Sequence, residues 1–421
     1  HGNCPILFVT ATEAEARRMA ADTTAMGGKT AVFPARDYQL VGETFGSSKE
    51  YEHQRIGTLW QLLEGKLEVL YLDIEALTGK TIAKTQLREQ AFCLKQSDTV
   101  DLGQLAERLV SLGYDNTEQV DGMGQFSVRG GIIDVFSPGM DQPVRLELWG
   151  DEIDSISYFD PLDQRRGDYV ESITVLPAAE FAVASAALAD LLEAKQADGA
   201  FLAPAYAATV MRDIDLLKSG GTLNADRYMN LLERPAESIL SYLTNGALLL
   251  SETRNLLSRL KQLTESRLAT LEDLFEQGLV DRGTDSFWYD RADLIGWLER
   301  YPTVYLDHFT GSSYPVAPKR LTTLLAKQLS CWGGSLEVLL EDLAPALRRK
   351  QTIFLLAGSE KSAAILLEQL ETNGIHAQQI GANDRPTGAG VYLLSGNLSA
   401  GLELPEQNLL LIAHKPLNAA A

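Results

Sequence analysis

The N-terminal segment constrains the fold more than any other stretch, because apolar runs and amphipathic segments follow one another in a fixed order. PILFVT is a short apolar run, and Thr12 with Glu15 forms a T-x-x-E capping box ahead of the helical stretch EAEARRMAADTTAM. Gly27 and Gly28 close that helix, and TAVFP supplies a second strand. Ile56, Leu59, Trp60 and Leu63 then share one helical face, Gly65 ends it, and LEVLYLD reads as a buried strand. Strand, helix and strand in this order select a parallel sheet covered by helices, since a parallel neighbour is reached only through a crossover.

Over residues 94–178 the pattern changes to short alternating strands punctuated by GMG, RGG, SPGMD and WGD, which predicts an inserted β-rich domain. After Phe181 the chain reads as helical again, with strands at ALLLS and TVYLD; Asp290 is placed to cap the helix RADLIGWLER, and Pro302 stops it. TGSSYPVAPKR reads as a linker. Beyond it, TIFLLAGSEKSAAILLEQLETNGI repeats the opening logic, with Ser359 as helix cap and Gly374 as stop. The expectation is an α/β multidomain chain: 1–93 α/β, 94–178 β-rich, 179–315 α/β, a linker at 316–332, and a small C-terminal α/β domain at 333–421. A length of 421 residues suits several domains.

Charge and cysteine usage narrow the function classes. With 57 acidic against 37 basic residues the net charge is -20, which repels a phosphate backbone and argues against strong non-specific DNA binding. Cys4, Cys93 and Cys331 form no CxxC pair and read as buried free thiols, and His1, His53, His308, His376 and His414 lack metal-ligand spacing. No run approaches the roughly 18–20 apolar residues of a membrane span and no signal peptide is visible, so the expected compartment is the cytoplasm. A start without methionine and a bare LNAAA end suggest a piece of something longer.

Several motifs invite catalytic readings and fail on context. The GKT tripeptides at 28–30 and 79–81 lack the leading glycine of a phosphate loop, where Thr23 and Ile74 stand, and both follow helical segments. VLYLDIE resembles the acid-ended strand of nucleotide hydrolases, but without a phosphate loop its acids have nothing to coordinate. Asp307 and His308 have no nucleophile elbow to serve, and Asp151, Glu152 and Asp154 read as a solvated turn. No catalytic residue and no cofactor or metal site is expected within the chain.

The arginines of VRGGIIDVFSPGMDQPVRLELW are harder to dismiss. Period-two alternation puts Val144, Leu146 and Leu148 on one face and Arg145, Glu147 and Trp149 on the other, and in QFSVR it turns Ser127 and Arg129 outward. If these strands share a sheet, Arg129, Arg145 and Trp149 share a surface. Residues 94–180 hold six basic and seventeen acidic residues, so this is no general basic patch. Arginine and tryptophan are the residues most enriched at interface hot spots, and both a protein-binding face and an ordinary strand with local salt bridges fit the pattern.

The ordered set RGGIIDVF, PVRLE, GDEIDSI and FDPLDQR resembles UvrB and, more closely, the bacterial transcription-repair coupling factors. FPARDY, EHQR, VLPAAEF, LLAGSEKSA and LSAGLELPE extend the resemblance over nearly the whole chain. It implies helicase-like, UvrB-like parallel-sheet domains (1a at 1–93, 1b at 179–315), with domain 2 at 94–178 binding UvrA through Arg129, Arg145 and Trp149. The aromatic is typically phenylalanine in that family, so Trp149 is a departure. It further implies an adaptor that recruits UvrA to stalled RNA polymerase. Contacts with polymerase and DNA, and a motor using ATP and magnesium, would belong to regions beyond this chain. Two departures separate the chain from UvrB itself, and from the alternative of an active lesion-verifying helicase: no phosphate loop is present, and YQLVGETFGSSKEYEHQR is too short for the long hairpin of UvrB.

Overall fold

A computed structural model of the chain describes residues 5–38, 40, 49–201, 203–221, 223, 225–232, 236–281, 284–309, 314–381, 384–386 and 388–414. Residues 39 and 41–48 of the segment compared with the UvrB hairpin lie outside the described residues, as does the C-terminal LNAAA. The protein is a mixed α/β chain that divides into two compact units, one formed by 1–13 and 32–316 and the other by 14–31 and 317–421. Among the described residues no helix is long and apolar enough to cross a membrane.

The first unit contains four strands of one sheet, in the order Thr303–Leu306, Ala247–Ser251, Ile6–Thr10, Val69–Asp73. Ile6–Thr10 lies parallel to both Ala247–Ser251 and Val69–Asp73, as the opening pattern predicts. Leu7, Val9, Leu70, Leu72, Leu248 and Leu250 are buried within it. Glu50–Leu63 buries Ile56, Leu59 and Leu62, and Asp290 caps Arg291–Arg300 through a capping box with Asp293.

Residues 92–95 pair antiparallel with 172–175, so the chain enters and leaves the β-rich domain at one place. Between them stands a six-stranded sheet in the order Arg166–Tyr169, Glu152–Phe159, Val144–Trp149, Ile132–Val135, Gln125–Arg129, Asp115–Asn116. One face packs Phe126, Ile133, Val135, Val144, Leu146 and Ile156 with Leu105 and Leu109 of a helix, Leu102–Ser111. The strand-only reading of this region missed that helix. Its signals are present: Asp101 accepts a hydrogen bond from the Gln104 backbone at 2.9 Å, and Leu102, Leu105, Leu109 and Leu112 recur at helical spacing.

The second unit carries its own six-stranded sheet, ordered Lys327–Leu329, Gly401–Leu404, Leu409–Ala413, Thr352–Leu356, Gly390–Leu394, Ala377–Gln379. Ile353, Leu355, Val391, Leu393, Leu410 and Ile412 pack against the helices Leu336–Arg348 and Glu360–Thr372. Ser359 caps the latter, accepting from the Ser362 backbone at 3.1 Å. Within the stretch read as a linker, Lys327–Leu329 forms a strand paired with Gly401–Leu404. Cys93 is exposed and Cys331 is partly exposed, which corrects the expectation of buried thiols for these two, Cys4 lying outside the described residues: Cys93 lies on the outer side of a two-stranded pair whose inner side holds Leu94.

Candidate protein-binding face

The RGG stretch is a hairpin. Arg129 pairs across to Ile132, leaving Gly130 and Gly131 as a two-residue turn in which Gly130 has φ +60°. Leu148 donates its N–H to the Gly131 carbonyl at 2.8 Å, and a Cβ on Gly131 would lie 3.1 Å from the Leu148 carbonyl oxygen, so the second glycine admits the neighbouring strand. The WGD turn works alike: Trp149 pairs with Glu152 across Gly150, whose φ is +69°, and Asp151. Two tight turns therefore fix the register of Arg129 and Trp149.

With the register fixed, one row across the sheet reads Ser127, Asp134, Arg145, Ser157, Tyr169, and the next reads Arg129, Ile132, Glu147, Ser155. Arg129, Arg145 and Trp149 thus occupy one face, with Asp134 between the arginines. Asp134 is fully buried. Its carboxylate accepts Nε and Nη2 of Arg145 at 2.7 and 2.8 Å, a bidentate fork, and Nη2 of Arg129 at 2.5 Å. The Arg145 guanidinium also lies over the Phe159 ring, 4.7 Å from its centroid, and reaches Gln164 at 3.4 Å. Hydrogen bonding to Asp134 raises the Arg145 pKa above its ordinary value.

The three residues are not equally presented. The Arg129 side chain is 50% exposed and Trp149 is 84% exposed, but the Arg145 side chain is only 16% exposed. Arg145 therefore does not stand outward as alternation alone predicts; it sits mid-sheet, covered by the groups that hold it. The sequence reading also passed over the rest of the face. Glu147 pairs with Arg166, Ser155 donates to Glu147 at 3.3 Å, and Arg166 donates to the Tyr169 hydroxyl at 2.7 Å, leaving Tyr169 exposed. Alternation in IIDVF, which turns Ile133 and Val135 inward, was enough to place Asp134 with the arginines.

The motifs with catalytic overtones have structural employment. Asp73 accepts the Ala76 N–H at 2.8 Å and caps the helix Ile74–Thr78, while burial raises its pKa to about 6. Glu75 is held by Arg267 at 3.1 Å and Arg259 at 3.5 Å. Asp307 accepts the Thr253 N–H at 2.6 Å at the start of the helix Thr253–Glu276, and His308 pairs with Glu252. Lys80 and Thr81 lie in a strand paired with Ala236–Ser238. Among the described residues no three His, Cys, Asp or Glu side chains converge to hold a metal.

FPARDY, EHQR and VLPAAEF meet in one buried network. Glu180 accepts Nε of Arg55 at 2.5 Å, the Thr81 hydroxyl at 2.6 Å and the Ile82 N–H at 3.2 Å. Arg55 also donates to the Pro34 carbonyl at 2.7 Å, and Arg36 ties Glu52 at 3.1 Å to Asp226 at 2.7 Å. Burial alone would raise the Glu180 pKa, but the Arg55 charge and hydrogen bonds, with Arg36 and Thr81, hold it below its ordinary value.

Comparison with known proteins places this face in context. The UvrB interaction domain family matches residues 92–181, the span that closes on itself through the 92–95 and 172–175 pairing. A transcription-repair-coupling factor of Bacillus subtilis is 24% identical over 99% of the chain, which covers 36% of that protein. Those of Staphylococcus haemolyticus and Staphylococcus aureus are 26% and 25% identical over 91% of the chain, covering 33% of each. The chain is a homologue of the transcription-repair-coupling factors. It spans about a third of the length of these relatives. Arg129, Arg145, Trp149 and Asp134 all fall inside its UvrB interaction domain.

Proposed function

We propose that the chain is the non-catalytic adaptor region of a transcription-repair coupling factor, and that its UvrB interaction domain binds UvrA and so recruits it to stalled RNA polymerase in nucleotide excision repair. The observation that carries this reading is the paired arginines on a buried aspartate, with a tryptophan that is 84% exposed on the same face of the matched domain. An exposed tryptophan on the same face as guanidinium groups held by an acid offers apolar area and directional donors together, the usual make-up of an interface hot spot. In this reading 1–93 and 179–315 are helicase-like domains without a nucleotide site, 94–178 is the UvrA-binding domain, and 333–421 is a separate small domain. Polymerase and DNA contacts, and an ATP- and magnesium-dependent motor, belong to the rest of such a protein.

The test is calorimetric titration of UvrA into the purified chain. Wild type is expected to bind, and Arg129→Ala, Arg145→Ala and Trp149→Ala are each expected to weaken binding by about 2 kcal/mol or more, the scale of a hot spot. Unchanged affinity in all three folded variants would place UvrA elsewhere or nowhere on this chain.

A further inference from the structure

The two arginines of the face are bound to one acid in different ways. Arg145 commits Nε and Nη2 to Asp134 and lays its plane on Phe159. Arg129 gives Asp134 a single Nη2 bond, and its Nε and Nη1 have no partner among the described residues. Glu147, the next acid on this face, is held by Arg166. Asp134 has no exposed surface, so its charge is stabilised by the two guanidinium groups and not by water. One carboxylate against two guanidinium groups leaves a local surplus of positive charge in a domain with seventeen acids and six bases.

Resting on the reading that this face docks UvrA, we propose that Asp134 is the positioning residue of the interface: it anchors Arg145 as a fixed support and orients Arg129, whose remaining N–H groups take a carboxylate of the partner. Arginine is required for both tasks, because its planar fork can hold one acid while presenting further N–H groups at a set angle. Fixing the fork before the partner arrives removes part of the ordering cost of association. Asp134 touches no partner itself and acts only through the arginines.

The experiment is a double-mutant cycle with the whole chain and UvrA, read by calorimetry with circular dichroism as folding control. Asp134→Asn is expected to weaken binding ten-fold or more in the wild-type background and less than three-fold in an Arg129→Ala background. Equal losses in both backgrounds would mean that Asp134 acts independently of Arg129, overturning the proposal. Wild-type affinity for Asp134→Asn alongside weakened Arg129→Ala also overturns it, while leaving the docking face in place. No effect from Arg129→Ala, Arg145→Ala or Asp134→Asn removes the docking face as well. If Asp134→Asn does not fold, Arg145→Lys decides: it keeps the charge but cannot make two parallel bonds to Asp134, so a ten-fold loss is expected and wild-type affinity refutes the role.

Discussion

Replacing Glu180 with glutamine tests the buried network that joins three of the motifs. Glutamine keeps the shape but removes the charge, leaving Arg55, whose side chain is 1% exposed, without a counter-ion. It also turns an amide N–H2 toward at least one of the donors that Glu180 now accepts, namely Arg55, Thr81 and Ile82. Breaking one side of a buried ion pair costs about 3–5 kcal/mol. At about 2 °C per kcal/mol, the low end for large domains, the first unit should melt roughly 6–10 °C lower. The sign with pH follows from the depressed Glu180 value. A carboxyl whose folded pKa lies below its unfolded one, about 4.3, stabilises fully above that value and loses the contribution as pH falls through the folded one. The gap between wild type and Glu180→Gln should therefore be flat from about pH 6 to 8 and close in strong acid. Scanning calorimetry and urea titration across pH measure both. A shift under about 2 °C at pH 7.5 would refute the argument, because the network would then be no more than a solvated salt bridge.

Four other outcomes follow from the same geometry. Trp149→Ala should leave the melting temperature unchanged within about 1 °C, since the side chain is 84% exposed. Arg145→Ala should lower stability by about 2 kcal/mol, because Asp134 loses its bidentate partner, and Arg129→Ala should cost less than about 1 kcal/mol; urea midpoints separate them. Gly124→Ala should destabilise by about 1–3 kcal/mol in the same assay, since a Cβ there would lie 2.5 Å from His53 Nε2 on a backbone with φ +77°. Asp73→Asn should hold or raise stability at pH 7.5, as asparagine keeps the helix cap. Because the folded Asp73 pKa, about 6, lies above the unfolded value, wild type should gain stability as pH falls from about 6 to 4, and the variant should lose that slope.

The opening strands were legible because each is a short apolar run bounded by helix starts and stops, and their parallel pairing follows from the crossover. The Leu102–Ser111 helix was not read, because its leucines sit among turn signals that suggested strands alone. Alternation placed Arg129, Arg145 and Trp149 on one face, yet it carries no information about what lies across the strand. Asp134 opposite Arg145 turns an expected outward side chain into a mostly covered one. The network of Arg36, Arg55 and Glu180 was visible only as three separate motifs, since Arg55 and Glu180 are 125 residues apart.

Carboxylates meet donors in two ways in this chain, and the balance at each place bears on what it can bind. Ligands of open α/β sheets sit at the carboxyl ends of the strands, where helix N-termini offer unpaired N–H groups. Here Asp73 takes the N–H at one such helix start and Asp307 takes another, while Glu75 is answered by Arg259 and Arg267. A phosphate arriving at either of these two helix starts would meet a carboxylate that already takes a backbone N–H. On the outer face of the UvrB interaction domain the count is reversed. Two guanidinium groups share one buried acid, and Arg129, half exposed, commits only Nη2 to it, on the same face as an exposed indole. An incoming carboxylate would meet N–H groups there that no described side chain takes, so the pairing that fills these helix starts with acids leaves donors open on this face.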